Sequence, residues 1–171
     1  MKQVHEIPYP KSDLIQGVRW LTEPLLYPNS HGDVWAGTWA DDGEVYAASD
    51  DTSGINKAAN SNLAINKISG TPPNHTAVTI NPMREYGHPG WRDGQDTWKA
   101  NGLVCVDGVL YLGVSQHSHA YDYPDNLQRV YDGSIVKSVD HGKTWSEKPA
   151  VGRPMFPGPR ARCYPRAKAV R

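Results

Sequence analysis

The feature that most constrains this chain is a hairpin written twice. Asp33 to Ala40 (DVWAGTWA) alternates Trp35, Gly37 and Trp39 against Val34, Ala36 and Thr38, then turns at Asp41-Asp42-Gly43 into Glu44 to Ser49 (EVYAAS). Asn101 to Val106 (NGLVCV) does the same through Asp107-Gly108 into Val109 to Gln116 (VLYLGVSQ). Period-2 alternation on both sides of an Asp-Gly turn specifies a β-hairpin, because glycine supplies the positive φ that such turns need. Superposing Asp42-Gly43 on Asp107-Gly108 lays Val45-Tyr46 over Leu110-Tyr111, an offset of 65 residues by their numbers. Further strands are expected over Leu63 to Ser69 and Thr76 to Ile80. A third unit is expected from Gly133, with Ser134 to Ser138 as its first strand and Thr144-Trp145 beyond a turn.

Helix has little room beside this pattern. The 16 Gly and 14 Pro are scattered, so few windows of helical length lack one. One modest helical stretch is expected over Thr52 to Asn60. Small antiparallel sheets recurring along a chain point to an all-β repeat architecture, a β-propeller of the five- or six-bladed type. A β-sandwich is the alternative, although it favours a steadier strand spacing. Propellers close with roughly four to eight blades. At this offset the 171 residues hold two to three units. The expectation is therefore a partial propeller over residues 1–159, read as the N-terminal part of a longer fold or as a unit that assembles with a copy of itself.

Charge divides the chain at the same place. Lys plus Arg is 18 and Asp plus Glu is 18, but Arg160, Arg162, Arg166, Lys168 and Arg171 all fall in the last twelve residues, which hold no acid. The remaining body is acidic, which argues against nucleic acid as a partner. Residues 160–171 have no strand alternation and read as a basic tail outside the fold, disordered or translated out of frame. No apolar run is long enough to span a membrane, and Met1 to Gly17 has no signal-peptide core. The compartment stays open, as does the oligomeric state. Cys105 and Cys163 make neither a disulfide framework nor a metal spacing.

The aromatic content is 6 Trp and 9 Tyr with 1 Phe. Rings with an apolar face and a polar tip suit wet, sugar-lined sites as well as sheets. The sharpest motif is Ser138-Val139-Asp140-His141-Gly142-Lys143-Thr144-Trp145, which fits S-x-D-x-G-x-T-W. Asp140 is expected to accept hydrogen bonds from turn amides, and Gly142 to take positive φ. Gly142-Lys143-Thr144 is no phosphate loop, since Lys137 stands where its first glycine is required.

This motif resembles the Asp-box of sialidase-type (BNR) propellers. Together with Gly32-Asp33-Val34-Trp35, Thr38 to Gly43, Leu63 to Gly70 (LAINKISG) and Lys99 to Tyr111, it makes residues 7–159 similar to the DUF4185 family. That family is propeller-like and related in pattern to sialidases and five-bladed glycoside hydrolases. The resemblance implies a carbohydrate-active protein whose partner is a glycan, with a glycosidase or a non-catalytic sugar-binding propeller as the alternatives. An inactive gene fragment is the third reading. In five-bladed hydrolases an Asp opens the innermost strand of the first blade, and Asp33 stands in that place, as a base or sugar-binding carboxylate.

Glycosidases work with two carboxyl groups, and Asp50 and Asp51 end the next strand. Lys99 and Asn101 open the inner strand of the second unit and are expected to meet sugar hydroxyls, as is Trp35. His117 and His119 share a face of one strand, a pair a metal could use, but no third ligand is defined and no metal or cofactor is called for. Segment 81–96, with Arg84, His88, Trp91 and Arg92, is long and aromatic enough to line a site. Arg84, Arg92 and Arg129 define no carboxylate-clamping triad, which argues against sialidase chemistry.

Overall fold

The computed structural model describes residues 12–19, 30–59, 61–87, 96–119, 128–150, 153 and 155, with the side chains of 96, 118, 119, 128, 129 and 131 outside that description. Within these residues the chain is all-β. Seven strands form in order: β1 (Ser30–Trp39), β2 (Val45–Ile55), β3 (Ser61–Thr71), β4 (Asn74–Asn81), β5 (Asp96–Val106), β6 (Val109–His119) and β7 (Gln128–Ser138). They make two antiparallel sheets, one ordered β1-β2-β3-β4 and one β5-β6-β7. Each is a simple meander, which is how a propeller blade is built.

The two hairpins form as their turns require. Gly43 and Gly108 take φ of 79° and 75°. Trp39 pairs with Val45, and Val106 with Val109, so each turn closes tightly on its strands. β2 and β6, central in their sheets, run past the expected segments, β2 to Ile55 through buried Asp50 and Thr52 and β6 to His119. Two expectations change. The described part of the expected helix, Thr52 to Ala59, is not helical: β2 continues to Ile55, the Thr52 hydroxyl accepts the Gly54 N–H at 2.8 Å, and Asn56 and Lys57 turn the chain with φ of 54° and 58°. The strand at Ser134 opens no third sheet either. It pairs with β6 from Leu110↔Ser138 to His117↔Val130 and is the third strand of the second sheet. Beyond it, Ser146 N–H donates to Lys137 C=O at 2.8 Å, so residue 146 lies beside β7 much as β4 lies beside β3.

The sheets pack face to face. Alternation sends Ala48 of β2 and Leu63 and Ile65 of β3 to one side, where they meet Trp98, Ala100, Leu112, Val114 and Val136 of the second sheet. The connecting loop contributes Met83 and Tyr86 to the same core. Tyr86 is tied in twice, through its C=O to the Trp98 N–H at 3.1 Å and through its hydroxyl to the Ser146 C=O. Gly87 presses against the start of β3, where a Cβ would lie 2.3 Å from Ser61 Oγ and 2.6 Å from Leu63 N.

The 138–145 turn closes the hairpin-turn end of this interface. Asp140 Oδ1 accepts from Thr144 N–H at 2.9 Å and from Ser138 Oγ at 2.8 Å, and Oδ2 accepts from Thr144 Oγ1 at 2.6 Å. Partial desolvation opposes ionisation of Asp140, but these hydrogen bonds outweigh it and hold the carboxyl below its ordinary range. Gly142 takes φ of 84°, and a Cβ there would lie 3.0 Å from Ile65 and 3.2 Å from Ile80. The turn thus rests directly on the first sheet. Its next residue across, His141, stacks on Tyr46 at 5.7 Å and holds Asp41 at 2.7 Å through Nε2.

Candidate functional site

At the end of the sheets away from those turns, four of the expected site residues come together. Asp33 lies across from Asp50 in the β1–β2 register, between two irregularities of β1. Gly32 makes this approach feasible: its φ is 132°, and a Cβ would lie 2.7 Å from both Asp50 O and the Thr52 side chain. No other residue fits there without moving β1 away from β2. Asp33 itself is exposed.

Asp50 is buried and faces the second sheet. Its Oδ1 accepts the Ala100 N–H at 2.9 Å, beside the irregularity that β5 makes between Ala100 and Gly102. Asp51, next in the chain, takes φ of 41° and meets the Lys99 ammonium at 2.7 Å. Three carboxyl groups and one lysine are therefore supplied by β1, β2 and β5, with Lys99 buried and Asp51 exposed.

Burial decides the electrostatics of Asp50. Desolvation pushes its carboxyl up to about 7, and the charges of Asp33 and Asp51 add to the rise. The Ala100 N–H and the Lys99 ammonium pull the other way and are outweighed. A carboxyl that keeps its proton near neutral pH beside an exposed carboxylate has the makings of an acid–base pair.

A second polar group continues from Lys99. Lys99 lies across from Ser115 on β6. The Ser115 hydroxyl is 3.2 Å from the Asn101 side-chain amide and 2.9 Å from His117 Nε2. Asp33, Asp50, Asp51, Lys99, Asn101 and His117 thus form one chain of polar neighbours. The His119 side chain, and Trp91 and Arg92 entirely, lie outside the described residues, as do His88 and the tail 160–171.

Trp35 is elsewhere. With φ of 43° its ring turns to the other face of the first sheet, its Nε1–H donating to Gly32 C=O at 3.1 Å. There it lines an apolar cleft of about 370 Å³ with Trp39, Val45, Ile68 and Ala77. The sequence did not mark Ser115, nor the group of Asp41, Asp42 and His141, whose ligand-type atoms lie within 4.8 Å of one another on the hairpin-turn side. The Asp41 and Asp42 carboxylates are occupied there by His141 and by the Tyr46 hydroxyl at 2.7 Å.

No family model and no curated protein matches the chain.

Proposed function

We propose that the Asp33–Asp50–Asp51–Lys99 cluster handles carbohydrate and that its chemistry is glycoside hydrolysis. The observation that carries this is the buried Asp50 carboxyl, raised to about 7, opposite exposed Asp33. Hydrolysis of a glycosidic bond needs one carboxyl that donates a proton to the leaving oxygen and one carboxylate that acts as base or nucleophile. Asp50 fits the first role and Asp33 the second. Lys99, Asn101, Ser115 and His117 offer donors and acceptors of the kind that hold sugar hydroxyls. The motif-by-motif resemblance to DUF4185 and Asp-box propellers supports the same substrate class.

The test is release of reducing sugar from a panel of polysaccharides and aryl glycosides, with direct binding measured alongside. Wild type is expected to hydrolyse at least one member, with activity falling as pH rises through about 7, where Asp50 loses its proton. Asp33→Asn is expected to lose activity by two orders of magnitude or more and to keep binding. Binding without hydrolysis in wild type and variant alike would replace the enzyme with a sugar-binding propeller. Neither binding nor hydrolysis would remove carbohydrate from the reading altogether.

A further inference from the structure

Ser115 and His117 have a chemistry of their own. They stand two apart on β6, so their side chains share one face of the second sheet. The pairing of β6 with β5 is regular through both, Lys99 facing Ser115 and Thr97 facing His117. The Ser115 hydroxyl lies 2.9 Å from His117 Nε2. Ser115 is 5% exposed, His117 is half-buried, and Asn101 beside them is exposed. A hydroxyl set against an imidazole nitrogen is the arrangement that turns serine into a nucleophile, because the neutral ring takes the proton as the oxygen attacks.

Two irregularities of the sheet converge on this pair. On β5, Ala100 faces Val114 and Gly102 faces Gly113, so Asn101 is the extra residue of a bulge. On β7, Gly133 faces Ser115 and Val130 faces His117, so Tyr131 and Asp132 stand against Gln116 alone. Bulges re-aim side chains and gather beside active sites. The first one delivers Asn101 to Ser115. The Asn101 amide is satisfied in one orientation, with Nδ2 donating to Ser115 Oγ at 3.2 Å and to Ala100 C=O at 3.3 Å, and Oδ1 accepting the Ser115 N–H at 3.3 Å. The nearest acceptor for the Ser115 hydroxyl is then His117 Nε2, at 2.9 Å against 3.1 Å for Asn101 Oδ1. An amide N–H this close to the attacking oxygen is placed to receive the oxyanion that attack creates. On the other flank, Gly133 faces Ser115 without a side chain.

We propose that Ser115 and His117 are a nucleophile and base that hydrolyse carboxylic esters, the substrate being a small acyl group carried on a sugar hydroxyl. The sugar half of that substrate rests on the carbohydrate reading above; the ester chemistry does not. The low exposure of Ser115 favours a group the size of acetyl. Ser115 Oγ attacks the acyl carbon while its proton passes to His117 Nε2, and the carbonyl electrons move onto the oxygen that Asn101 Nδ2–H receives. The carbonyl re-forms as the sugar oxygen leaves with the proton from His117, and the acyl group stays on Ser115. Water then attacks that carbon and gives one proton to His117. The carboxylic acid departs as Ser115 Oγ takes the proton back. Ester and water become alcohol and acid, and the protein ends as it began.

The full chain is tested with p-nitrophenyl acetate, with chemically acetylated polysaccharides, and with phenylmethylsulfonyl fluoride, whose adduct is located by peptide mass spectrometry. Wild type is expected to release nitrophenol and acetate and to take up one sulfonyl group at Ser115. Its rate is expected to rise with pH, because only a neutral imidazole accepts the proton, the opposite of the course expected for glycoside hydrolysis. Ser115→Ala and His117→Gln are each expected to lower kcat by about two orders of magnitude or more. Asn101→Ala is expected to lower kcat about 100-fold with KM little changed, and an unchanged kcat removes Asn101 from the oxyanion role. Circular dichroism and a cooperative melt check that each variant is folded. Wild type that neither hydrolyses p-nitrophenyl acetate above the buffer rate nor carries the label at Ser115 overturns the pair, whatever the variants do, and glycan cleavage in that same protein leaves the carbohydrate reading standing. Ester hydrolysis that survives Ser115→Ala also overturns it. Hydrolysis of p-nitrophenyl acetate through Ser115 with no acetate released from the acetylated polysaccharides supports the pair and overturns the sugar substrate.

Discussion

Replacing Asp50 by Asn should stabilise the protein at pH 8 and leave it unchanged at pH 4. A carboxyl whose pKa is raised by folding gives stability that is complete below the unfolded value. That stability is lost as pH climbs to the folded value, because the folded state then holds a proton the unfolded state has released. For Asp50 the window runs from about 3.9, the unfolded value, to about 7 in the fold. At ~1.36 kcal/mol per pH unit, that interval corresponds to about 4 kcal/mol. Solvent at exposed Asp51 screens part of the repulsion, which leaves about 2–4 kcal/mol. Asn has nearly the shape of protonated Asp and still offers an oxygen to the Ala100 N–H, which donates to Asp50 at 2.9 Å. The two proteins should therefore match at pH 4 and diverge upward from there. The assay is urea unfolding at half-unit steps from pH 4 to 9, with the m-values compared to confirm that the unfolded ensemble is the same. Other carboxyl groups titrate in both proteins and cancel in the difference to first order. If Asp50→Asn were less stable than wild type at pH 8, Asp50 would have to be ionised and favourably held by Lys99, and the acid role assigned to it would fail with that result.

Other substitutions check the frame around the site. Asp140→Ala should cost about 0.5–2 kcal/mol in urea unfolding, since it removes the hydrogen bonds that the Thr144 N–H and the Thr144 and Ser138 hydroxyls donate to the carboxylate, and it should leave sugar binding unchanged. Gly142→Ala should cost about 1–3 kcal/mol by chemical denaturation, because its φ of 84° and the nearby Ile65 and Ile80 methyls both resist a Cβ. Gly87→Ala should be the most damaging of the glycine changes, at about 3 kcal/mol or more, because the obstacles include Leu63 N in the backbone; a lowered melting temperature or loss of soluble protein would register it. Ile65→Ala, in the core shared by both sheets, should cost about 2–5 kcal/mol by the same unfolding assay.

What could be read in the sequence followed from how local the cause was. The hairpins were legible because an Asp-Gly turn and period-2 alternation are decided within a dozen residues. The repeat offset was legible for the same reason, and it carries further than the expected third unit did: adding the 65-residue offset to β3 lands on β7. Strand ends were less visible. Thr52, Ser53 and Gly54 look like loop residues, yet they continue β2 to Ile55 between β1 and β3. Asp33, Asp50, Asp51 and Lys99 were named separately, and their meeting depends on contacts fifty residues apart, such as Ala100 N–H to Asp50. Trp35 misled because alternation assumes a regular strand, and β1 is irregular on both sides of Asp33, with positive φ at Val34 and Trp35. A one-residue irregularity moves a side chain to the opposite face.

The same irregularity explains why the acidic cluster tolerates its own repulsion. Three carboxyl groups within reach of one another destabilise a fold unless something else holds the backbone that carries them. Beside the Asp51–Lys99 ion pair and the Ala100 N–H on Asp50, neutral groups hold these strands. Gly32 brings β1 close to β2 by lacking a Cβ, and the Thr52 hydroxyl fixes that approach by donating to His31 C=O while accepting the Gly54 N–H. On the other side, the core packing of Trp98 and Ala100 holds β5 against β2 whatever the protonation of Asp50. Neutral groups thus hold the strands that carry Asp33 and Asp50. Ionising Asp50 lowers stability through its own desolvation, while these neutral contacts keep β1 and β5 beside β2, which is the property an acid–base pair needs and a purely structural ion pair does not.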